Sequence, residues 1–225
     1  MPARLRPTAP IASDAILVGD PGRALMLAQE LLQQPKMSNH VRGLWGYSGG
    51  TRSGQELTIQ STGMGGPSAT VVLRDLVELG VRRAVRLGTG TSLSELGLGE
   101  LLIVAEAEAL RVSFAGSGTA EAPRDAAYPD PELTAGLEEA LPDARTGLVV
   151  SLDDLHAPER KAPSMRADVA DMQTAALFGA GARLGIAVAG LLIVTERSGI
   201  GQLRDDDLEE AAKQAGRAAA TALSP

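Results

Sequence analysis

Residues 61–90 read STGMGGPSATVVLRDLVELGVRRAVRLGTG, and the fold follows from how this stretch divides. Upstream of it, Glu56–Gln60 alternates like a strand and runs into the loop Ser61–Gly66. Pro67 then opens a helix whose apolar positions are Val72, Leu73, Leu76 and Leu79, and Gly80 stops it. Arg83–Leu87 is a second strand, ending in the loop Gly88–Ser92. A strand, a glycine loop, a helix and another strand form one unit of a parallel sheet covered by helices.

The same unit recurs on both sides. Ala15–Val18 is an apolar run ending at Gly19, with Asp20 as helix N-cap, Pro21 at the first helical position and apolar residues through Leu32. The glycine-rich segment Lys36–Ser53 is expected to hold turns and a short hairpin. Further on, Leu101–Ala107 is apolar enough for burial on both faces, and Val112–Asp130 reads as a long surface loop. Pro131–Leu141 is helical, Thr146–Val150 a strand, and Ala167–Leu184 a strongly patterned helix. Ile186–Thr195 is another buried strand, and Asp205–Leu223 a closing helix with three aspartates at its start. No repeat or linker divides the chain, so residues 1–225 are expected to form one α/β domain. Its central sheet is mixed, mostly parallel and flanked by helices, and ligands of such sheets bind beyond the carboxyl ends of the strands.

Composition removes several functions. Without cysteine there are no disulfides, thiolate nucleophiles or cysteine metal sites, which fits a reducing cytoplasm. The N-terminal MPARLRPTAP lacks the apolar core of a signal peptide, and no segment reaches the roughly 18 apolar residues of a membrane span. A formal charge of −7 argues against nucleic acid as a partner. It leaves room for one small anion, because a few converging arginines set the local field. Only two histidines occur, His40 and His156, far apart and without an acidic cluster, so no metal site is expected.

Three glycine turns carry arginines. Gly19-Asp20-Pro21-Gly22-Arg23 aims helix N–H groups at one spot, with Arg23 in the first turn; the same residues also make an ordinary strand–helix turn. Arg86-Leu87-Gly88-Thr89-Gly90 puts an arginine near the end of an apolar strand, where it is costly unless it meets an anion or a carboxylate. Arg42 begins a third stretch, which contains Gly46-x-Ser48-x-Gly50. That spacing is the pattern of a hydrolase nucleophile elbow, but a polar turn and not a helix follows, so the elbow reading is weak. The Gly63–Gly66 turn lacks the spacing of a dinucleotide fingerprint.

Taken together, ILVGDPGRA (16–24), HVRGLWGYSG (40–49), residues 61–90 and ADMQTAALFGAGARLG (170–185) resemble the nucleoside phosphorylase family, of the uridine phosphorylase and hexameric purine nucleoside phosphorylase type. The wording of 61–90 is most like uridine phosphorylases. The resemblance implies phosphorolysis of a ribonucleoside to free base and ribose 1-phosphate, with inorganic phosphate as co-substrate and no cofactor. It implies that Gly19, Arg23, Arg86 and Thr89 hold phosphate, and that Arg42 reaches phosphate in a partner's site. Met64, Asp171, Met172 and Gln173 would lie along the ribose; Thr62, Gly63, Leu155, His156, Glu159 and Arg160 would border the base. Arg86, with Glu196 or Arg197 near the leaving base, would act in catalysis. A dimer with shared sites, built into a hexamer as three dimers, is implied as well. Several positions depart from the family: Gln173 stands where glutamate is usual, Leu155 where an aromatic packs on the sugar, Thr8 nearest to where a partner lends a histidine, and Glu196 near where purine enzymes carry an aspartate, while the base-reading insertion is shortened around His156–Lys161.

Overall fold

A computed structural model describes residues 4–110, 126–154 and 166–224. In chain order these form β1 (Asp14–Val18), α1 (Pro21–Leu31), β2 (Leu32–Asn39), a single 3-10 turn (Val41–Gly43), β3 (Gly46–Thr51), β4 (Glu56–Ser61) and α2 (Gly65–Glu78). There follow β5 (Arg83–Ser92), β6 (Leu101–Leu110), β7 (Ala126–Ala127), α3 (Pro131–Ala140), β8 (Arg145–Leu152) and β9 (Val169–Asp171). The chain closes with α4 (Thr174–Leu184), β10 (Ala187–Arg197), β11 (Gly201–Gln202) and α5 (Asp205–Ala222).

Apolar residues on both faces of the central strands make a three-layer arrangement. Ile16 and Val18 of β1 join Val85 and Leu87 of β5 in one core, covered by α1, α3 and α5. Ala15 and Leu17 point the other way, with Ala84, into a core covered by α2 and α4. The alternation that sends neighbours to opposite faces places Arg86 on the second face, level with the end of β1. Strands β4, β1, β5 and β10 run parallel in that order, and the β2–β3 hairpin extends the sheet antiparallel from β4.

Three sequence expectations need correction. Residues 88–92 are not a loop: β5 continues to Ser92 and pairs along its whole length with β10. The segment from Ala167 is not one helix. Val169–Asp171 is a short strand between β5 and β8, and α4 starts only at Thr174, with Gln173 at the N-cap position and the Asp171 carboxylate accepting from the Gln173 and Thr174 amides. Finally, the hairpin expected within Lys36–Ser53 is present but is longer than expected, since β2 and β3 take up most of the segment. Through β9 the sheet closes on itself as a ring, β5–β10–β6–β8–β9, with β6 antiparallel to β10 and β9 antiparallel to β5. Of the loop expected at Val112–Asp130, residues 112–125 lie outside the described residues, and Ala126–Ala127 pairs with β6.

Candidate active site at the carboxyl ends of the strands

The carboxyl ends of β1, β4, β5 and β9 bring four of the sequence motifs together. Gly19 follows β1, and a Cβ built on it would lie 3.6 Å from the Gly63 carbonyl oxygen and 4.0 Å from Gln173 Oε1. The loop Thr62–Gly65 follows β4, with Gly63 and Gly65 at φ of 70° and 79°, conformations that side-chain-bearing residues rarely adopt. Gln173 sits between β9 and α4. Residues 110 positions apart in sequence thus share one small volume.

Arg86 is the hub. It is only 4% exposed, and its guanidinium is held on three sides: Nε donates to Thr174 Oγ1 at 2.9 Å, Nη1 to Gln173 Oε1 at 2.6 Å and Nη2 to Asp171 Oδ2 at 2.7 Å. A guanidinium has five N–H donors, so one on each terminal nitrogen remains. The costly buried arginine has met a carboxylate, the structural alternative to an anion. Asp171 is itself saturated: it also accepts from Ser151 Oγ at 2.5 Å, Thr174 Oγ1 at 2.6 Å and the amides that begin α4. Thr174 and Ser151 were not singled out from sequence. Thr174 is foreshadowed by its place three residues after an aspartate that can cap a helix, whereas nothing in sequence marks Ser151.

Arg86 folds back over Gly88. A Cβ there would lie 2.5 Å from Arg86 Nη2 and 2.6 Å from Leu192 Cδ2, so only glycine lets the side chain take this path. Gly88→Ala is expected to push the guanidinium off Asp171 and cost about 1–3 kcal/mol, read as a lower urea midpoint together with weaker phosphate binding in a titration.

Arg23 lies in the first turn of α1, whose N-cap is Asp20, with Asp20 Oδ1 accepting from the Arg23 amide at 2.8 Å. Its guanidinium makes no hydrogen bond or ion pair among the described residues. Burial holds its pKa below the ordinary value, Asp20 opposes this, and the nearby positive charge of Arg86 adds to it. A largely buried guanidinium with no partner among the described residues, in the first turn of a helix and near the positive charge of Arg86, makes a place for an anion.

The remaining candidates surround this hub. Thr89 is half-buried on β5, and Thr91 Oγ1 donates to Glu196 Oε2 at 3.3 Å where β10 ends. Arg197 is committed elsewhere, to the Glu95 carboxylate at 2.9 Å. Thr62 is fully buried, and its hydroxyl reaches the Val18 carbonyl at 3.0 Å. Met64 is 85% exposed and Met172 half-buried. Arg42 is exposed on the β2–β3 turn at φ 63°. This turn lies at the same end of the sheet, since Gly46 pairs with Gln60 and Leu44 Cδ2 would touch a Cβ on Gly63 at 3.4 Å. Leu155, His156, Glu159 and Arg160 lie outside the described residues. Among the described residues no cluster of His, Asp or Glu is placed to hold a metal, and no helix is long and apolar enough to cross a membrane.

With that geometry in place, comparison with known proteins is informative. The model of a family described as the phosphorylase superfamily matches residues 13–224. A purine nucleoside phosphorylase of the DeoD type from Streptococcus suis is 28% identical over 201 residues, 83% of this chain and 82% of that protein. Another of the same type, from Oceanobacillus iheyensis, is 41% identical over 80 residues, a match spanning 35% of this chain and 34% of that protein. Among solved structures, purine nucleoside phosphorylase from Toxoplasma gondii in complex with immucillin-H superposes with a TM-score of 0.78, at 20% identity and covering 94% of this chain and 91% of that one. That likeness establishes the same fold. The relatives' names put purine where the sequence reading had put uridine first.

Proposed function

Since this chain belongs to the phosphorylase superfamily, we propose that it is a nucleoside phosphorylase, a pentosyltransferase acting on purine nucleosides. In the reaction a phosphate oxygen attacks the anomeric carbon as the bond from that carbon to the base nitrogen breaks. Free base and ribose 1-phosphate result. The protein has little covalent chemistry to perform: it positions phosphate and stabilises charge as the base departs. The observation that carries this reading is the pair Arg23 and Arg86, two neighbouring guanidiniums of which Arg23 has no partner among the described residues. Arginine's planar fork suits phosphate, and inorganic phosphate is the co-substrate, with no cofactor needed. Gly19 and Thr89 would complete the cradle; Met64 and Met172 would flank the sugar, and Thr62 and Gly63 the base.

Two observations favour purine over uracil. The relative matched over 82% of its length is named a purine enzyme. Within the chain, Arg197, the residue a uracil-reading site would use, is paired with Glu95, whereas Glu196 places a carboxyl group at the end of β10, where the leaving base would lie. A panel of nucleosides assayed with phosphate tests this: inosine or guanosine is expected to turn over at least about tenfold faster than uridine, and a preference for uridine would overturn the assignment.

Arg42, exposed and without a side-chain partner among the described residues, is proposed to complete the phosphate site of a neighbouring copy, in a dimer and a hexamer of three dimers. Arg42→Ala and Arg86→Ala are then each inactive. Mixed and reassembled in equal amounts, they are expected to recover about a quarter of the wild-type activity, because half the dimers are mixed and each holds one intact site. No recovery would mean that Arg42 serves its own subunit or none.

A further inference from the structure

Gln173 is buried, with 3% of its surface exposed, and its amide is held from two sides. Oε1 accepts from Arg86 Nη1 at 2.6 Å and faces the Thr62 hydroxyl at 3.2 Å. Nε2 donates to the Gly63 carbonyl at 2.6 Å and lies 3.3 Å from that of Gly65. The orientation of the amide follows from its partners: arginine can only donate and a carbonyl can only accept, so the oxygen faces Arg86 and the nitrogen faces the loop. The amide spends its nitrogen on the loop and its oxygen on Arg86, and at 3% exposure it offers a sugar hydroxyl no open approach.

The partners also explain why the residue is an amide. Gly63 and Gly65 both have positive φ, and the loop they bracket turns two carbonyls toward position 173. A carboxylate there would set an oxygen against those two oxygens. Glutamine can donate to the loop and accept from Arg86 at once.

We propose that Gln173 is a positioning residue that couples the Arg86 guanidinium to the Gly63–Gly65 loop, and that the sugar hydroxyls are not read at position 173. The proposal rests on the phosphorylase reading. Its consequence for specificity is that residue 173 does not distinguish a ribonucleoside from its 2′-deoxy counterpart.

The test uses Gln173→Met, which keeps length and removes the bonds to Arg86 and to the loop, and Gln173→Glu, which keeps an acceptor for Arg86 and removes the donor to the loop. Both are compared with wild type in inorganic phosphate titrations and in kcat/KM for inosine and 2′-deoxyinosine. Gln173→Met is expected to weaken phosphate binding by about tenfold or more, as the loss of a charge-assisted bond to Arg86 implies. In both variants the two nucleosides should lose kcat/KM by the same factor, within about twofold. A fall for inosine about tenfold larger than for 2′-deoxyinosine, with phosphate affinity unchanged, would make Gln173 a sugar ligand and overturn the proposal. Gln173→Glu supplies the sugar comparison if Gln173→Met shows no cooperative melting. Absence of turnover by wild type counts against the phosphorylase reading; the phosphate titrations still decide the coupling, and an unchanged affinity in Gln173→Met overturns it.

Discussion

Replacing Arg86 by alanine is expected to abolish phosphate binding and to lower turnover by about a thousandfold or more. Removing one preorganised charge at a reacting group costs about 10²–10³, and Arg86 has a second task that the same substitution removes. Its Nη2 is the only cation paired with Asp171 among the described residues, and that carboxylate is 1% exposed. Leaving a buried charge uncompensated costs about 3–5 kcal/mol, so the variant should melt well below wild type. Steady-state kinetics, a phosphate titration and a thermal melt on one sample separate the two losses. Arg86→Lys keeps a positive charge but not the fork that reaches Thr174, Gln173 and Asp171 together. It is expected to restore part of the stability and little of the activity. Full activity in either variant would remove Arg86 from the site.

Asp171→Ala attacks the same pair from the other side, and the expected effect is again large. Arg86 then stays buried without a counter-charge, the hydroxyls of Ser151 and Thr174 lose their acceptor, and the first amides of α4 lose their cap. A cost of about 3–5 kcal/mol for the broken pair and about 1 kcal/mol for the cap lowers Tm by about 8–24 °C for a chain of this size. Phosphate should stabilise this variant more than it stabilises wild type, because an anion bound at Arg86 replaces part of the missing charge. A melting temperature unchanged from wild type would show that the buried network does not hold the β9–α4 junction.

The unequal legibility of fold and site has physical causes. The layered arrangement is readable because each strand–glycine–helix unit carries its own signals: the apolar run of β1, the Asp20 cap and Pro21 at the start of α1. Closure of the sheet into a ring is not readable. It depends on β9, three residues whose burial fits a helical pattern as well as a strand, and only pairing with β5 and β8 decides between them. Gly88 and Gly90 look like loop formers, but the extra space they leave lets β5 continue against its neighbours. In the site, Arg86 was marked by cost alone, since a cation in an apolar strand needs an anion. Which anion is a three-dimensional fact, and within this chain it is Asp171. Gln173 shows the same limit: the residue type is visible, but its two-sided bonding to Arg86 and the Gly63–Gly65 loop depends on β9 lying beside β5.

The central claim is that Arg23, in the first turn of α1, and Arg86, on β5, serve phosphate as a reactant. Base release from inosine, followed with the purified protein in phosphate-free buffer and again with inorganic phosphate, tests it most directly. The account predicts release that depends on phosphate, saturates with it and yields ribose 1-phosphate in equal amount with hypoxanthine. Release at the same rate without phosphate, with free ribose as the product, would contradict it.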